Sequence, residues 1–185
     1  MAEPLLAWYD VHKRSLPWRG TPSPYAVWIS EIMLQQTRVA AVIPYYARFM
    51  EALPTVADLA AVPEERLMKL WEGLGYYSRA RNLQRAAQMI CGPLGGAFPS
   101  AYQDLLALPG VGDYTAGAIA SIAFGEAVPA VDGNVLRVAA RVGGIHEDIL
   151  DPKVRQRFRD KMVQALPEDR PGAFNQALMD LGAMV

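Results

Sequence analysis

Between its prolines and glycines this chain repeats apolar residues at intervals of three and four, and no run alternates apolar with polar for long enough to make a half-buried strand. That period commits the chain to helices, and the expected fold class is all-α. Ser23 followed by Pro24 supplies an N-cap and a first-turn proline, which opens a helix from about Tyr25 through Gln36. Further helices are expected at about Val39 to Glu51, Pro63 to Trp71, Tyr77 to Cys91 and Ser100 to Leu108. The second half continues near Tyr114 to Phe124, Gly133 to Val142, Lys153 to Ala165 and Ala173 to Met184. Turns such as Pro109-Gly110-Val111-Gly112 and Gly143-Gly144 separate them. Neither an internal repeat nor a low-complexity linker is found.

A length of 185 residues, 52% of them hydrophobic and 20% charged, suits one sizeable domain or two small lobes sharing a cleft, and excludes a disordered chain. No stretch approaches the roughly 20 uninterrupted apolar residues of a membrane span, and no basic flank precedes an apolar run at the N-terminus. The chain is expected to be soluble, unexported and without a membrane partner. Its single cysteine, Cys91, excludes an internal disulfide and any all-cysteine metal site built within the chain. A net charge of −1 argues against a binder that relies on bulk charge. Local sites remain open, because 14 of the 18 basic residues are arginine and they bunch at Arg79, Arg81 and Arg85 and again at Arg155, Arg157, Arg159 and Lys161. These runs are solvated helix faces or phosphate contacts, for which the planar arginine fork is suited.

Three segments can carry chemistry. Leu108-Pro109-Gly110-Val111-Gly112 leads into Asp113-Tyr114-Thr115-Ala116-Gly117 and joins two apolar helices through a tight turn. It is either an ordinary connection or a hairpin whose free amides and following helix N-terminus face an anion. Twenty residues on, Asp132 precedes a helix in Pro129-Ala130-Val131-Asp132-Gly133-Asn134-Val135. It reads as an N-cap, and a carboxylate there is favoured in its charged form. Glu31 shares a helix face with Val27, Trp28, Leu34 and Gln35. It is therefore either a misplaced surface acid or a buried one, and burial would raise its pKa toward ~6–7, where it can deliver a proton. One ionised and one protonated carboxyl group together suit cleavage of a glycosidic bond through an oxocarbenium-like transition state.

The hairpin string resembles the helix-hairpin-helix of the endonuclease III superfamily of DNA glycosylases. Leu16-Pro17-Trp18-Arg19, Glu31 to Thr37, Gly73-Leu74-Gly75-Tyr76-Tyr77-Ser78-Arg79, Val131 to Val135 and Phe174 to Gly182 extend the match from end to end, and together they resemble the catalytic domain of the adenine DNA glycosylases of the MutY type. The resemblance implies a monomer of two helical lobes around a DNA-binding cleft. One lobe comprises residues 25–133, a six-helix barrel with the hairpin, and the other residues 1–24 plus 134–185. It implies base excision repair in a bacterial cytoplasm: monofunctional hydrolysis of the N-glycosidic bond of adenine opposite 8-oxoguanine or guanine in double-stranded DNA.

By motif position Glu31 would be the general acid at the adenine ring and Asp132 the anion that stabilises the sugar cation, with Tyr114 and Asn134 hydrogen-bonding around them. Trp18, Arg19 and Leu34 would line the adenine pocket. Extruding a base leaves a gap in the stack; Gln36, Leu74 and Tyr76 would occupy the opened duplex, with Thr37, Gly110, Val111, Gly112 and Thr115 also at the DNA. Cys91, His12 and His146 receive no role.

The resemblance also marks a departure. The family continues past the position of Val185 into four cysteines that hold a [4Fe-4S] cluster, and then into a domain that recognises 8-oxoguanine. The chain is accordingly expected to be a fragment or truncated gene product that binds no cluster alone. A thymine mismatch glycosylase is the nearest rival, with Glu31 to Thr37 the main argument against it. Endonuclease III itself carries a lysine at the position of Tyr114. A non-catalytic DNA-binding module would need neither Glu31 nor Asp132.

Overall fold

Ser23 does cap a helix: its hydroxyl accepts from the Ala26 N–H at 3.1 Å, and Pro24 fills the first turn. In the computed structural model, which describes residues 2–20, 23–149 and 151–184, that helix is the second of eleven. In chain order they are α1 (Ala2–His12), α2 (Pro24–Leu34), α3 (Val39–Ala52), α4 (Val56–Ala61), α5 (Glu64–Trp71) and α6 (Ser78–Cys91). They continue with α7 (Tyr102–Leu105), α8 (Asp113–Phe124), α9 (Gly133–Gly143), α10 (Pro152–Ala165) and α11 (Pro171–Met184), and a 3-10 turn at Pro17–Arg19 follows α1. The fold is all-helical among the described residues. None of these helices is long and apolar enough to cross a membrane. Met1, Thr21, Pro22 and Val185, which belong to the expected lobe 1–24 and to the expected chain end, lie outside the described residues, as does Leu150.

Two apolar cores organise the chain. The larger draws Trp28 and Ile29 from α2, Phe49 from α3, Trp71 from α5, Leu83 from α6 and Ile119 from α8 into one cluster. Trp18 joins it from the 3-10 turn, so that turn packs with the larger core although the expected lobe division set residues 1–24 in the other. The smaller core combines Leu6 of α1 with Val135 and Val138 of α9, Met162 of α10, and Phe174 and Leu178 of α11. Where they meet, Ala118, Ala130 and Met179 pack together against Tyr114.

The junction is held by close approach and by one buried amide. A Cβ on Gly117 would come within 2.5 Å of the Pro129 carbonyl oxygen, so only glycine lets the segment before α9 lie on α8. Asn175 of α11 is 1% exposed; its Oδ1 accepts from the Ala130 N–H, and its Nδ2 donates to Ser121 Oγ and the Val128 carbonyl. These bonds fix the segment leading to Asp132, and with it the start of α9.

Three elements differ from expectation. α1 and α4 were not anticipated, and the helix expected over Ser100 to Leu108 shrinks to Tyr102–Leu105. There the chain tightens into short-range bonds, Ala107 N–H to Asp104 and Leu108 N–H to Leu105, before the glycine turn. α2 stops at Leu34 rather than Gln36, because the backbone leaves the helix at Gln35, ψ 114°, and turns to φ 57° at Gln36.

Candidate active site

Every residue of α2 from Tyr25 to Met33 is buried, and Glu31, 6% exposed, is the acid among them. α2 packs on α8, whose second residue, Tyr114, donates its hydroxyl to Glu31 Oε2 at 2.7 Å; the same oxygen lies 3.6 Å from the Met179 sulfur of α11. Burial raises the Glu31 pKa to about 7; the Tyr114 bond pulls the other way, Asp132 adds to the rise, and Arg19 opposes it. Glu31 is thus a carboxyl group divided between its two forms near neutrality. Tyr114 is raised well above the ordinary phenol value, first by burial and then by the charges of Glu31 and Asp132, and stays a neutral donor.

Asp132 is handled differently. As the N-cap of α9 it accepts from the Val135 N–H through Oδ1 at 2.8 Å, and from Asn134 Nδ2 through Oδ2 at 2.8 Å. Asn134 in turn accepts from Arg137 Nη2 at 2.7 Å, which fixes which end of its amide faces Asp132. Capping and a place in the site therefore coexist in one side chain.

Both carboxylates, Tyr114 and Asn134 line a cleft of about 1020 Å³ that runs between the two cores. Trp18, Arg19 and Leu34 line it too, as do Gln36 and Thr37. No lysine lies on its wall among the described residues. Trp18 shows little surface, being 6% exposed and set edge-on to Tyr46 at 5.3 Å. The Arg19 guanidinium is not free: it grips Asp180 through Nη1 at 2.7 Å and Nη2 at 3.0 Å.

The residues expected at DNA divide into two sets. Gln36 and Tyr76 are exposed, Tyr76 by 62%, and both take a left-handed backbone, φ 57° and 47°. Held with positive φ at non-glycine positions, they carry strain of a kind concentrated at functional turns. Leu74 is not a projecting wedge here: it is 7% exposed and packs in the larger core. Val111 and Thr115 are also buried, at 7% and 2%, with the Thr115 hydroxyl 3.5 Å from Gln35 Nε2. Gly110 takes φ +78° and packs on α6, where a Cβ would come 2.7 Å from that of Asn82. Gly112 has an ordinary extended backbone and leaves α8 without a side-chain cap.

Arg79 corrects the reading of its run as a solvated face. It is 8% exposed, and its guanidinium donates to the carbonyls of Ile32, Met33 and Gln35 at the end of α2 and of Leu74 and Gly75 in the next turn. One side chain thereby ties the turn bearing Gln36 to the turn bearing Tyr76. Arg81 does lie on the surface, paired with Glu64. Asp180 is the functional-region residue that sequence reasoning missed. The signal was present, since an acid in the apolar run Leu178-Met179-Asp180-Leu181 is as anomalous as Glu31 in its own helix.

A [4Fe-4S] cluster takes a full set of thiolates, whereas this chain has Cys91 alone, half-buried on α6. The residues of this chain do not fit such a cluster.

An all-helical architecture with two unlike carboxylates in one cleft agrees with a base-excision repair type of protein. Residues 29–164 match the family described as HhH-GPD superfamily base excision DNA repair protein, and the chain belongs to that superfamily. Within it the chain is similar to adenine DNA glycosylases: 51% identical over 190 residues to that of Homo sapiens and 50% identical over 190 residues to that of Rattus norvegicus, in each case over 98% of this chain. It covers 35% of the human protein and 37% of the rat protein, so it spans about a third of the length of these relatives. Among solved structures it resembles a thermostable thymine-DNA glycosylase, with a TM-score of 0.89 at 28% identity, covering 100% of this chain and 85% of that one. It also resembles endonuclease III in a non-covalent DNA complex, with a TM-score of 0.78 at 26% identity, covering 95% of this chain and 81% of that one.

Proposed function

We propose that this chain excises adenine from mispairs with 8-oxoguanine or guanine in duplex DNA. The observation that carries the reading is Glu31, buried and poised near neutrality under the Tyr114 hydroxyl, in the same cleft as the capped Asp132. The 51% identity to the human adenine DNA glycosylase supports adenine as the base.

In this mechanism Glu31 gives its proton to the adenine ring as the bond from the base to the sugar breaks, and the bonding pair leaves with adenine. The sugar is left with a positive charge, and Asp132, oriented by Asn134 and the α9 N-terminus, stabilises it. Water then adds at that carbon, and its spare proton returns to a carboxylate. Tyr114 has no amine with which to form a Schiff base, so the product is an intact strand with an abasic site. Strand breaks should therefore appear only after alkali or heat. The exposed Gln36 and Tyr76 are the residues proposed to fill the stack, while the hairpin amides around Gly110 and Gly112 hold phosphates regardless of sequence. The two lobes are proposed as residues 25–133 and as 1–24 with 134–185, the 3-10 turn seated on the first.

Likeness to the thymine-DNA glycosylase favours a second reading, thymine excision. Single-turnover cleavage of duplexes with A opposite 8-oxoguanine, A opposite G and T opposite G separates the two. Adenine release from the first two supports the proposal; thymine release with adenine untouched overturns it.

A further inference from the structure

The wall of the cleft carries a charged cluster that the mechanism above does not use. Asp180 of α11 has no exposed surface, and both its oxygens are engaged. Oδ1 accepts from Arg14 Nε at 2.7 Å and Arg19 Nη2 at 3.0 Å, while Oδ2 accepts from Arg19 Nη1 at 2.7 Å and the Arg14 backbone N–H at 3.2 Å. A carboxylate this deep persists only when paired. Burial raises its proton affinity, but the bonds from Arg19 and Arg14 outweigh that and hold it below the ordinary range. Arg19 meets it with the two-pronged face of its guanidinium, an arrangement that fixes direction as well as charge.

That direction matters because Arg19 lines the same cleft as Glu31 and acts on it electrostatically. The groups acting on Glu31 are Tyr114 of α8, Asp132 at the head of α9 and Arg19 of the 3-10 turn, and of these Arg19 is the cation. A guanidinium released in a buried cleft would pair with the nearest carboxyl group and favour its ionised form. We propose that Asp180 is a positioning residue that holds Arg19 against α11 and keeps it from forming an ion pair with Glu31. Asp180 thus preserves the proton of the acid without touching it. The inference rests on the reading of Glu31 as the general acid.

The test is the pH dependence of single-turnover excision from a duplex with A opposite 8-oxoguanine. In the wild type the rate falls as pH rises through about 7. In Asp180→Asn the midpoint of that fall moves down by about one unit, and the rate above it drops about tenfold, following the protonated fraction. Asp180→Glu keeps the charge and restores the midpoint. The double variant Asp180→Asn with Arg19→Gln also brings the midpoint back up, whatever its absolute rate, because the cation that acts on Glu31 is gone, although Arg14, the other partner of Asp180, is still present. An unchanged midpoint in Asp180→Asn overturns the inference, as does one that stays low in the double variant. Should Asp180→Asn not fold, Arg14→Gln replaces it: the backbone N–H at position 14 still donates to Asp180, but loss of the competing guanidinium leaves the carboxylate more fully to Arg19 and raises the midpoint, and a constant or lower midpoint contradicts the proposal. A wild-type profile that is flat from about pH 5 to 9 would instead remove Glu31 as the acid, a failure of the underlying reading that the variants' relative shifts cannot mimic.

Discussion

Glu31 and Asp132 are the same chemical group treated in opposite ways. Glu31 lies in the middle of a helix with its neighbours buried on every side, and accepts a hydrogen bond from Tyr114 at 2.7 Å. Asp132 stands at the open end of a helix, partly exposed, with a donor on each oxygen. Position along a helix thus separates the roles proposed for them, a proton donor in the buried middle of α2 and a charge-stabilising group with a donor on each oxygen at the head of α9. Neither role needs a metal or an unusual residue. It needs only that the buried interior of α2 and the N-terminus of α9 face one cleft, and the close contact of α8 with the Pro129-Ala130 segment brings them there.

The comparison breaks most visibly if its two members are neutralised in turn. Glu31→Gln keeps size and polarity but has no transferable proton, so excision should fall by about 10²–10⁴-fold with DNA binding retained. Binding and cleavage lost in equal measure would refute the acid role. Asp132→Asn removes the anion while leaving a side chain that can still cap, and excision should fall by about 10²–10³-fold in single-turnover assays. A rate like that of the wild type would reduce Asp132 to a cap.

A smaller effect appears in stability. The folded pKa of Glu31, about 7, lies above its unfolded value of 4.5. Its contribution is therefore fully retained below about pH 4.5 and lost as pH rises to about 7, at a cost of roughly 3 kcal/mol. Glu31→Gln removes a group that must ionise in a buried place, so its melting temperature should exceed that of the wild type above pH 7 and converge with it near pH 4. The reverse order would show Glu31 to be solvated. Smallest is the expected effect of Tyr114→Phe. Because the Tyr114 hydroxyl donates to the carboxylate and lowers the pKa of Glu31, its loss should move the midpoint of the pH–rate profile upward. A downward move would mean that Tyr114 serves the neutral form.

Much of this was legible in the sequence because it is local. Ser23-Pro24 opens α2, Asp132 caps α9, and the apolar neighbours of Glu31 on its own helix give burial as one of two readings, the one the structure bears out. What escaped was set by contacts far along the chain. Asp180 meets Arg14 and Arg19 across more than 160 positions, and no spacing rule connects them. Arg79 looked like one of three similar surface arginines, yet it alone turns inward to the carbonyls that α2 leaves unpaired at its end. The resemblance sets Leu74 in the opened duplex, whereas tertiary packing buries it in the larger core. α4 is six residues long, too short to register as a period, although Thr55 and Asp58 form a complete capping box at its start.

The proposed mechanism requires one property of the free protein, that Glu31 still holds its proton in about half of the molecules at neutral pH. Carbon-13 detection of side-chain carboxyl groups through a pH titration reads it directly, with Glu31→Gln identifying the resonance. The structure predicts a midpoint at about 7 for Glu31. A midpoint in the ordinary carboxylate range, near 4.5, would contradict the division of labour between the two acids.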